Sequence, residues 1–255
     1  MELIIFILIA LLGLCVGSFL NVVIYRTPIG MKLSYPPSHC PKCNHALRWF
    51  ENIPLVSYLA LGGKCRVCKN KISPRYFLVE FLNLVLWLGL ALVYLKTEPV
   101  VMACYIIASS VLLVVAFIDF DHKFIPDRFQ IILFLIGVVL TIFASDMLWS
   151  ERLIGFFVGG GIMLLFYGLG YLMFKREAMG IGDIKLMAVC GLIVGWQNIL
   201  LALFLGVIVG AVVLMIWKAF TKEVEFAFAP FLAFGVVAVM FFGKPIIDAY
   251  LTLLA

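Results

Sequence analysis

Long stretches without a single charge run through this chain, and they restrict its fold more than any other feature. Uncharged runs cover residues 3–25, 81–95, 99–118, 129–145, 153–174, 186–217 and 226–243. A helix needs about 20 apolar residues to cross a bilayer, and several runs reach that length. In lipid every backbone N–H and C=O must find a partner inside the protein, so such runs fold as helices. With 65% hydrophobic and 13% charged residues, the chain departs far from a soluble domain. The expected fold class is an all-α polytopic membrane protein.

The run 186–217 is too long for one ordinary span, and Gly195-Trp-Gln-Asn198 at its centre reads as a tight turn between two. About eight transmembrane helices result: 3–24, 76–95, 99–118, 129–145, 153–174, 184–196, 199–217 and 226–242, followed by a short apolar tail at 245–255. The first run has no basic residue ahead of it and no small-residue cleavage site behind it, so it reads as a span. Its Gly17-Ser18-Phe-Leu-Asn21 segment suits close packing between helices.

Segment 25–75 carries nine of the nineteen Lys and Arg residues and one acid, Glu51. The positive-inside rule places it in the cytoplasm and the N-terminus outside. Eight alternating spans then put Lys123, Arg128, Lys175, Arg176, Lys185, Lys218 and Lys222 inside as well, leaving Lys96, Arg152 and Lys244 outside. The net charge of +5 needs no nucleic acid, because anchoring beside anionic lipid accounts for it. Three parts are expected: a first transmembrane helix at 1–24, a cytoplasmic insertion at 25–75 and a transmembrane bundle at 76–255.

Fifty-odd residues make a poor core unaided, so the insertion needs a staple. Cys40-Pro-Lys-Cys43 and Cys65-Arg-Val-Cys68 supply four thiolates in two knuckles, a set that matches structural Zn2+. A reducing cytoplasm argues against two disulfides. Spacing alone leaves an iron centre or metal-free thiols open. His39 and His45 flank the first knuckle and read as exposed loop residues. Cys15, Cys104 and Cys190 lie in apolar runs and read as small packing groups.

Asp119 and Asp183 each stand where an apolar run breaks off, and carboxylates beside hydrocarbon are costly enough to be functional candidates. If the third span stays helical through residue 119, Asp121 is turned away from it. Asp121 then reads as a solvated charge, and Asp127, after Pro126, as a helix cap. Asp183 ends Gly180-Ile-Gly182-Asp183, where glycines free the backbone to turn, with φ > 0 expected at Gly182. Two close carboxylates share a proton, the equipment for hydrolysis by activated water. A helix N-terminus at Asp183 favours it as the ionised member, with Asp119 as the acid.

As a set, these motifs resemble the type IV prepilin peptidases, bacterial membrane aspartic proteases of the GxGD type. The resemblance rests on Gly17-Ser-Phe-Leu-Asn-Val-Val-Ile-Tyr-Arg-Thr-Pro28, both CxxC knuckles and Asn52-Ile-Pro-Leu-Val-Ser-Tyr58. It continues through Ile72-Ser-Pro-Arg-Tyr76 with Val79-Glu80, the Ile118–Asp127 run and Gly180-Ile-Gly-Asp-Ile-Lys-Leu186. It implies removal of the basic leader of prepilins or pseudopilins at the cytoplasmic membrane face. It also implies methylation of the new N-terminal residue with S-adenosylmethionine. By matching positions Asp119 and Asp183 are the catalytic pair and Cys40, Cys43, Cys65 and Cys68 bind metal; Gly180 and Gly182, lacking side chains, are read as leaving room for an extended substrate to approach. Asn21, Arg26, Glu51 and Glu80 are the polar motif positions assigned to the cofactor. Departures occur at Phe77, at Leu61-Gly-Gly-Lys64 and at Phe226-Ala-Phe-Ala-Pro-Phe231, none of them expected to touch the aspartates.

Two rival classes fit the same residues. An ion-coupled transporter would use the aspartates as a cation site, although such sites usually lie near the midplane. A structural scaffold would lose both aspartates without consequence.

Overall fold

The computed structural model describes residues 2–175, 179–220 and 226–254. Arg176 and Lys222, two of the expected inward-facing charges, lie outside the described residues. The described chain is helical apart from isolated bridges, and it divides into two units, Met1–Leu92 and Val93–Ala255.

In the first unit, α1 (Glu2–Arg26) and α3 (Pro74–Tyr94) meet through small and amide residues. A Cβ on Gly17 would lie 3.0 Å from the Glu80 Cα, so the helices touch at backbone distance there. Asn83 Nδ2 donates to Gly13 O at 2.7 Å, and Asn21 Nδ2 to Tyr76 O at 3.1 Å. The expected packing role of the Gly17–Asn21 segment is realised. Between the two helices lie a 3-10 turn, Trp49–Asn52, and the short α2 (Val56–Ala60).

The second unit holds α4 (Pro99–His122), α5 (Asp127–Phe143), α6 (Trp149–Phe174), α7 (Ile181–Val194), α8 (Trp196–Phe220) and α9 (Ala229–Leu254). Helix α4 starts on a proline, whose missing N–H costs nothing there. It stops at Lys123, left-handed at φ 56°, whose N–H closes on Asp119 O at 2.8 Å. Pro126 then keeps the helix from resuming. Helix α7 is only 14 residues long, and Leu186 through Val194 are all buried. A helix apolar all round belongs in an interior, and α5, α6, α8 and α9 all contact it. Gly195, at φ 82°, ends it and α8 begins at the next residue, which is the turn expected inside the long run.

Arg152, counted above among the charges on the outer side, is fully buried on α6. Its guanidinium donates to Ile193 O and to Asp146 Oδ1, both at 2.5 Å. A cation at the C-terminal carbonyls of α7 opposes the negative end of that helix.

Among the described residues six helices, α1, α3, α4, α6, α8 and α9, are long and apolar enough to cross a membrane. Helices α5 and α7 occupy the expected spans at 129–145 and 184–196 but are shorter, at 17 and 14 residues. The tail expected after residue 242 is not separate, because α9 continues through Pro245 to Leu254. Neighbouring groups satisfy the carbonyl that a membrane proline frees.

Candidate active site and metal centre

Asp119 lies one turn before the end of α4 and Asp183 in the first turn of α7, with 6% and 8% of their surface exposed. Helices α5 and α9 each pack on both α4 and α7, so the two carboxylates belong to the same helix bundle. Asp121, two residues on from Asp119, is exposed, as the helical period requires.

Asp119 Oδ2 accepts the Ala229 N–H at 3.0 Å. Ala229 is the first residue of α9, so that N–H has no acceptor within its own helix. The segment 226–231, expected not to touch the aspartates, thus supplies the partner of one. Both carboxylates now sit at helix N-termini, so the dipole no longer distinguishes an ionised member from an acid.

Gly180 precedes α7 in an extended conformation, φ −75° and ψ 142°, and Asp183 N–H donates to its carbonyl at 3.1 Å. A Cβ on Gly180 would stand 3.6 Å from Asp183 Oδ2, so the glycine keeps that flank of the carboxylate clear. Gly182 differs from expectation: it lies within the helix and is absent from the positive-φ positions. Its constraint is spatial, since a Cβ would come 3.3 Å from Ile125 Cβ. Gln130 Nε2, buried on α5, donates to Gly182 O at 3.1 Å. A polar amide near the start of the uncharged run 129–145 was the sequence signal for this contact. Ala229 had none.

Asp127 does not cap α5, whose N-cap is Pro126. Its Oδ1 pairs instead with Lys185 Nζ at 2.9 Å, both side chains exposed, and so ties the start of α5 to the start of α7. Gly182→Val is expected to push Ile125 and the loop that follows Asp119. We expect cleavage to fall by about tenfold or more, with a smaller loss of thermal stability. Equal cleavage by variant and wild type would show that this contact does not set the geometry of the aspartates.

In the insertion, the sulfurs of Cys40, Cys43, Cys65 and Cys68 all lie within 4.8 Å of one another. Cys40–Cys68 and Cys43–Cys65 are each 3.9 Å apart. A tetrahedral ion with bonds of about 2.3 Å sets sulfurs about 3.8 Å apart, so the four fit zinc. The knuckles repeat one construction. Cys40 and Cys65 N–H groups bond His45 O and Asn70 O, and Asn44 and Lys69 both turn at positive φ. The Asn70 N–H is the largest influence on Cys68 and holds its thiol down to about 6, which favours the ligating thiolate. Neither flanking histidine joins the sulfurs. His39 bonds Pro37 O, and His45, no idle loop residue, pairs with Glu51 Oε2 at 3.2 Å. We expect about one zinc per chain by elemental analysis, lost in Cys68→Ser together with protease resistance of residues 38–72. A metal-free wild-type protein would overturn the assignment.

The four residues assigned to the cofactor are tied into this frame. Arg26 donates to Lys32 O, Leu33 O and Pro36 O at 3.1, 3.1 and 2.6 Å. Glu51 Oε2 takes the Arg48 N–H at 2.8 Å, and that bond first, then His45, holds its carboxyl below the usual range. Glu51 Oε1 is buried without a partner. Glu80 Oε2 takes the Leu55 N–H at 2.8 Å, and Asn21 holds Tyr76. Of the four, Arg26 alone lines a cavity of about 400 Å³, with Ser18, Phe19, Val22, Asn52 and Pro54 among its other walls.

The Bacterial Peptidase A24 N-terminal domain family matches residues 11–94, and the Type IV leader peptidase family matches residues 106–215. Relatives named prepilin leader peptidase/N-methyltransferase occur in several bacteria. The Stutzerimonas stutzeri protein is 36% identical over 96% of this chain and 94% of its own length. The Pseudomonas aeruginosa protein is 34% identical over 94% and 91%. A Myxococcus xanthus protein is 40% identical over 79% of this chain, which spans 60% of that relative. No solved structure matches. By these matches to both parts of the chain, it belongs to the type IV leader peptidase family.

Proposed function

We propose that this chain is a bifunctional enzyme of the bacterial inner membrane. It cleaves the basic leader from prepilins or pseudopilins at the cytoplasmic face, and it N-methylates the residue so exposed. The observation that carries the peptidase reading is the burial of Asp119 and Asp183 together at helix ends of one bundle, each beside a helix N-terminus.

One carboxylate of the pair, ionised, takes a proton from water as that water attacks the scissile carbonyl carbon. The other, protonated, donates to the carbonyl oxygen; the proton taken from water then passes to the leaving amine as the C–N bond breaks, and the gem-diol returns a proton to the pair. The titration belongs to the pair and not to either residue. Asp119 Oδ2 is engaged by Ala229, which leaves its other oxygen for the proton. Gly180 keeps one side of Asp183 open to an extended peptide.

The insertion supplies the second activity. Zinc on Cys40, Cys43, Cys65 and Cys68 is structural, with no ligand position left for chemistry. The cavity lined by Arg26 is of a size to hold S-adenosylmethionine, and Asn52 and Pro54 in its wall follow Glu51 in the chain. S-adenosylmethionine supplies the methyl group. Mass spectrometry of a prepilin incubated with purified enzyme, with and without S-adenosylmethionine, reads both steps. A loss of the leader without the cofactor, plus a single methyl with it, is expected. An uncut prepilin would overturn the peptidase reading, and a cut but unmethylated one the transferase reading.

A further inference from the structure

The insertion is not built like a water-soluble lobe. Trp49 is 81% exposed, Val56 59% and Leu59 66%, outside any span, where their exposure to water would be costly. Val56 and Leu59 stand three residues apart on α2 and so share a face.

The depth of α2 is set by its ties to α3. Leu55 N–H donates to Glu80 Oε2 at 2.8 Å, and the Tyr58 ring packs on Phe77 with centroids 5.5 Å apart. Glu80 is six residues into α3, about 9 Å along its axis from Pro74. Helix α3 has 21 residues, about the length that spans the hydrocarbon core. A segment held beside Phe77 and Glu80 therefore lies within the leaflet at which α3 enters. Interfacial helices bury their apolar face by about 5–10 Å, the depth found here.

The exposed charge of the insertion is basic. The single acid of residues 25–75, Glu51, is turned inward onto Arg48 N–H and His45. Next to α2, a cleft of about 430 Å³ is lined by Tyr58, Gly62, Gly63, Lys64, Lys71 and Ser73 and ends at Pro74, the first residue of α3. The backbones of Lys64 and Lys71 pair in an isolated antiparallel bridge, which holds the two residues side by side. Two lysines, a serine and the first residue of α3 in its lining suit the cleft to an anionic headgroup.

We propose that α2 is embedded in the leaflet beside the insertion, with Val56 and Leu59 against acyl chains, and that the Lys64–Lys71 cleft holds the phosphodiester of an anionic lipid. This reading is independent of the catalytic one.

The test uses the full chain in nanodiscs of mixed phosphatidylglycerol and phosphatidylcholine. A benzophenone side chain at Leu59 should form lipid adducts on irradiation, and one at Val67, equally exposed on the second zinc knuckle, should form several-fold fewer. Lys64→Glu with Lys71→Glu should lower the phosphatidylglycerol retained in native mass spectra, by roughly ten- to thirtyfold relative to wild type, with zinc content unchanged. Equal lipid adducts at the two sites would refute the embedding of α2. Undiminished phosphatidylglycerol in the zinc-loaded double variant would refute the headgroup site. A double variant that loses zinc is replaced by Lys64→Gln with Lys71→Gln, for which a smaller loss in the same direction is expected and no loss is refuting.

Discussion

Asp119→Asn and Asp183→Asn should each reduce prepilin cleavage by about a thousandfold or more, the range lost when an acid–base group is removed. An amide keeps the shape of the carboxylate but neither takes a proton from water nor gives one up. The fold should survive both changes. Ala229 N–H still meets an oxygen at position 119, and position 183 still occupies the first turn of α7. Asp121→Asn, at an exposed position on the same helix, should keep most of its activity. Asp127→Asn removes only an exposed ion pair with Lys185, worth at most about 1 kcal/mol, and should cut substrate with a few-fold loss at most. Cleavage by peptide mass spectrometry, normalised to folded protein, separates these outcomes. Processing by either pair variant at the wild-type rate would end the aspartic peptidase reading and return the transporter and scaffold readings to contention.

The parts of this fold legible in the sequence are those where one physical rule acts alone. Charge-free runs became helices because lipid allows them no alternative, and Gly195 marked the α7–α8 turn because few residues tolerate φ 82°. Four cysteines in two knuckles announced their own cluster. What stayed hidden depends on chain segments far apart in sequence. Ala229 has no side chain to advertise that its N–H will meet Asp119. Gly182 looked like a turn glycine, whereas the constraint on it comes from Ile125 across the bundle. Arg152 entered only as a charge on the outer side, because nothing local reveals that the carbonyls of Leu192 and Ile193 will converge on it. His45 and Glu51, six residues apart, were each visible but their pairing was not.

Gly155→Leu should be among the most damaging changes in the chain outside the catalytic residues, and Gly161→Leu, one and a half turns along the same helix, among the least. Helix α7 carries Asp183 and is short, so its position depends on what it packs against. Against α6 the backbones are in direct contact. A Cβ on Gly155 would overlap Gly191 O and crowd Gly195 C at 2.8 Å, and one on Gly159 would overlap Met187 O. No side-chain rotation relieves a clash with backbone, so α7 must move or the helices must separate. Close approach through small residues is also what holds membrane helices together where apolar burial gives no advantage over lipid. A Cβ on Gly161 meets nothing within 4 Å. The two substitutions add the same side chain to the same helix with the same loss of glycine flexibility, so propensity cancels between them. For Gly155→Leu we expect a cost of about 3 kcal/mol or more, a fall in Tm of about 5–10 °C in detergent, and cleavage reduced beyond what the folded fraction explains. Gly161→Leu should match wild type in both measurements. If the two variants melt together and cut alike, the contact between α6 and α7 does not place Asp183.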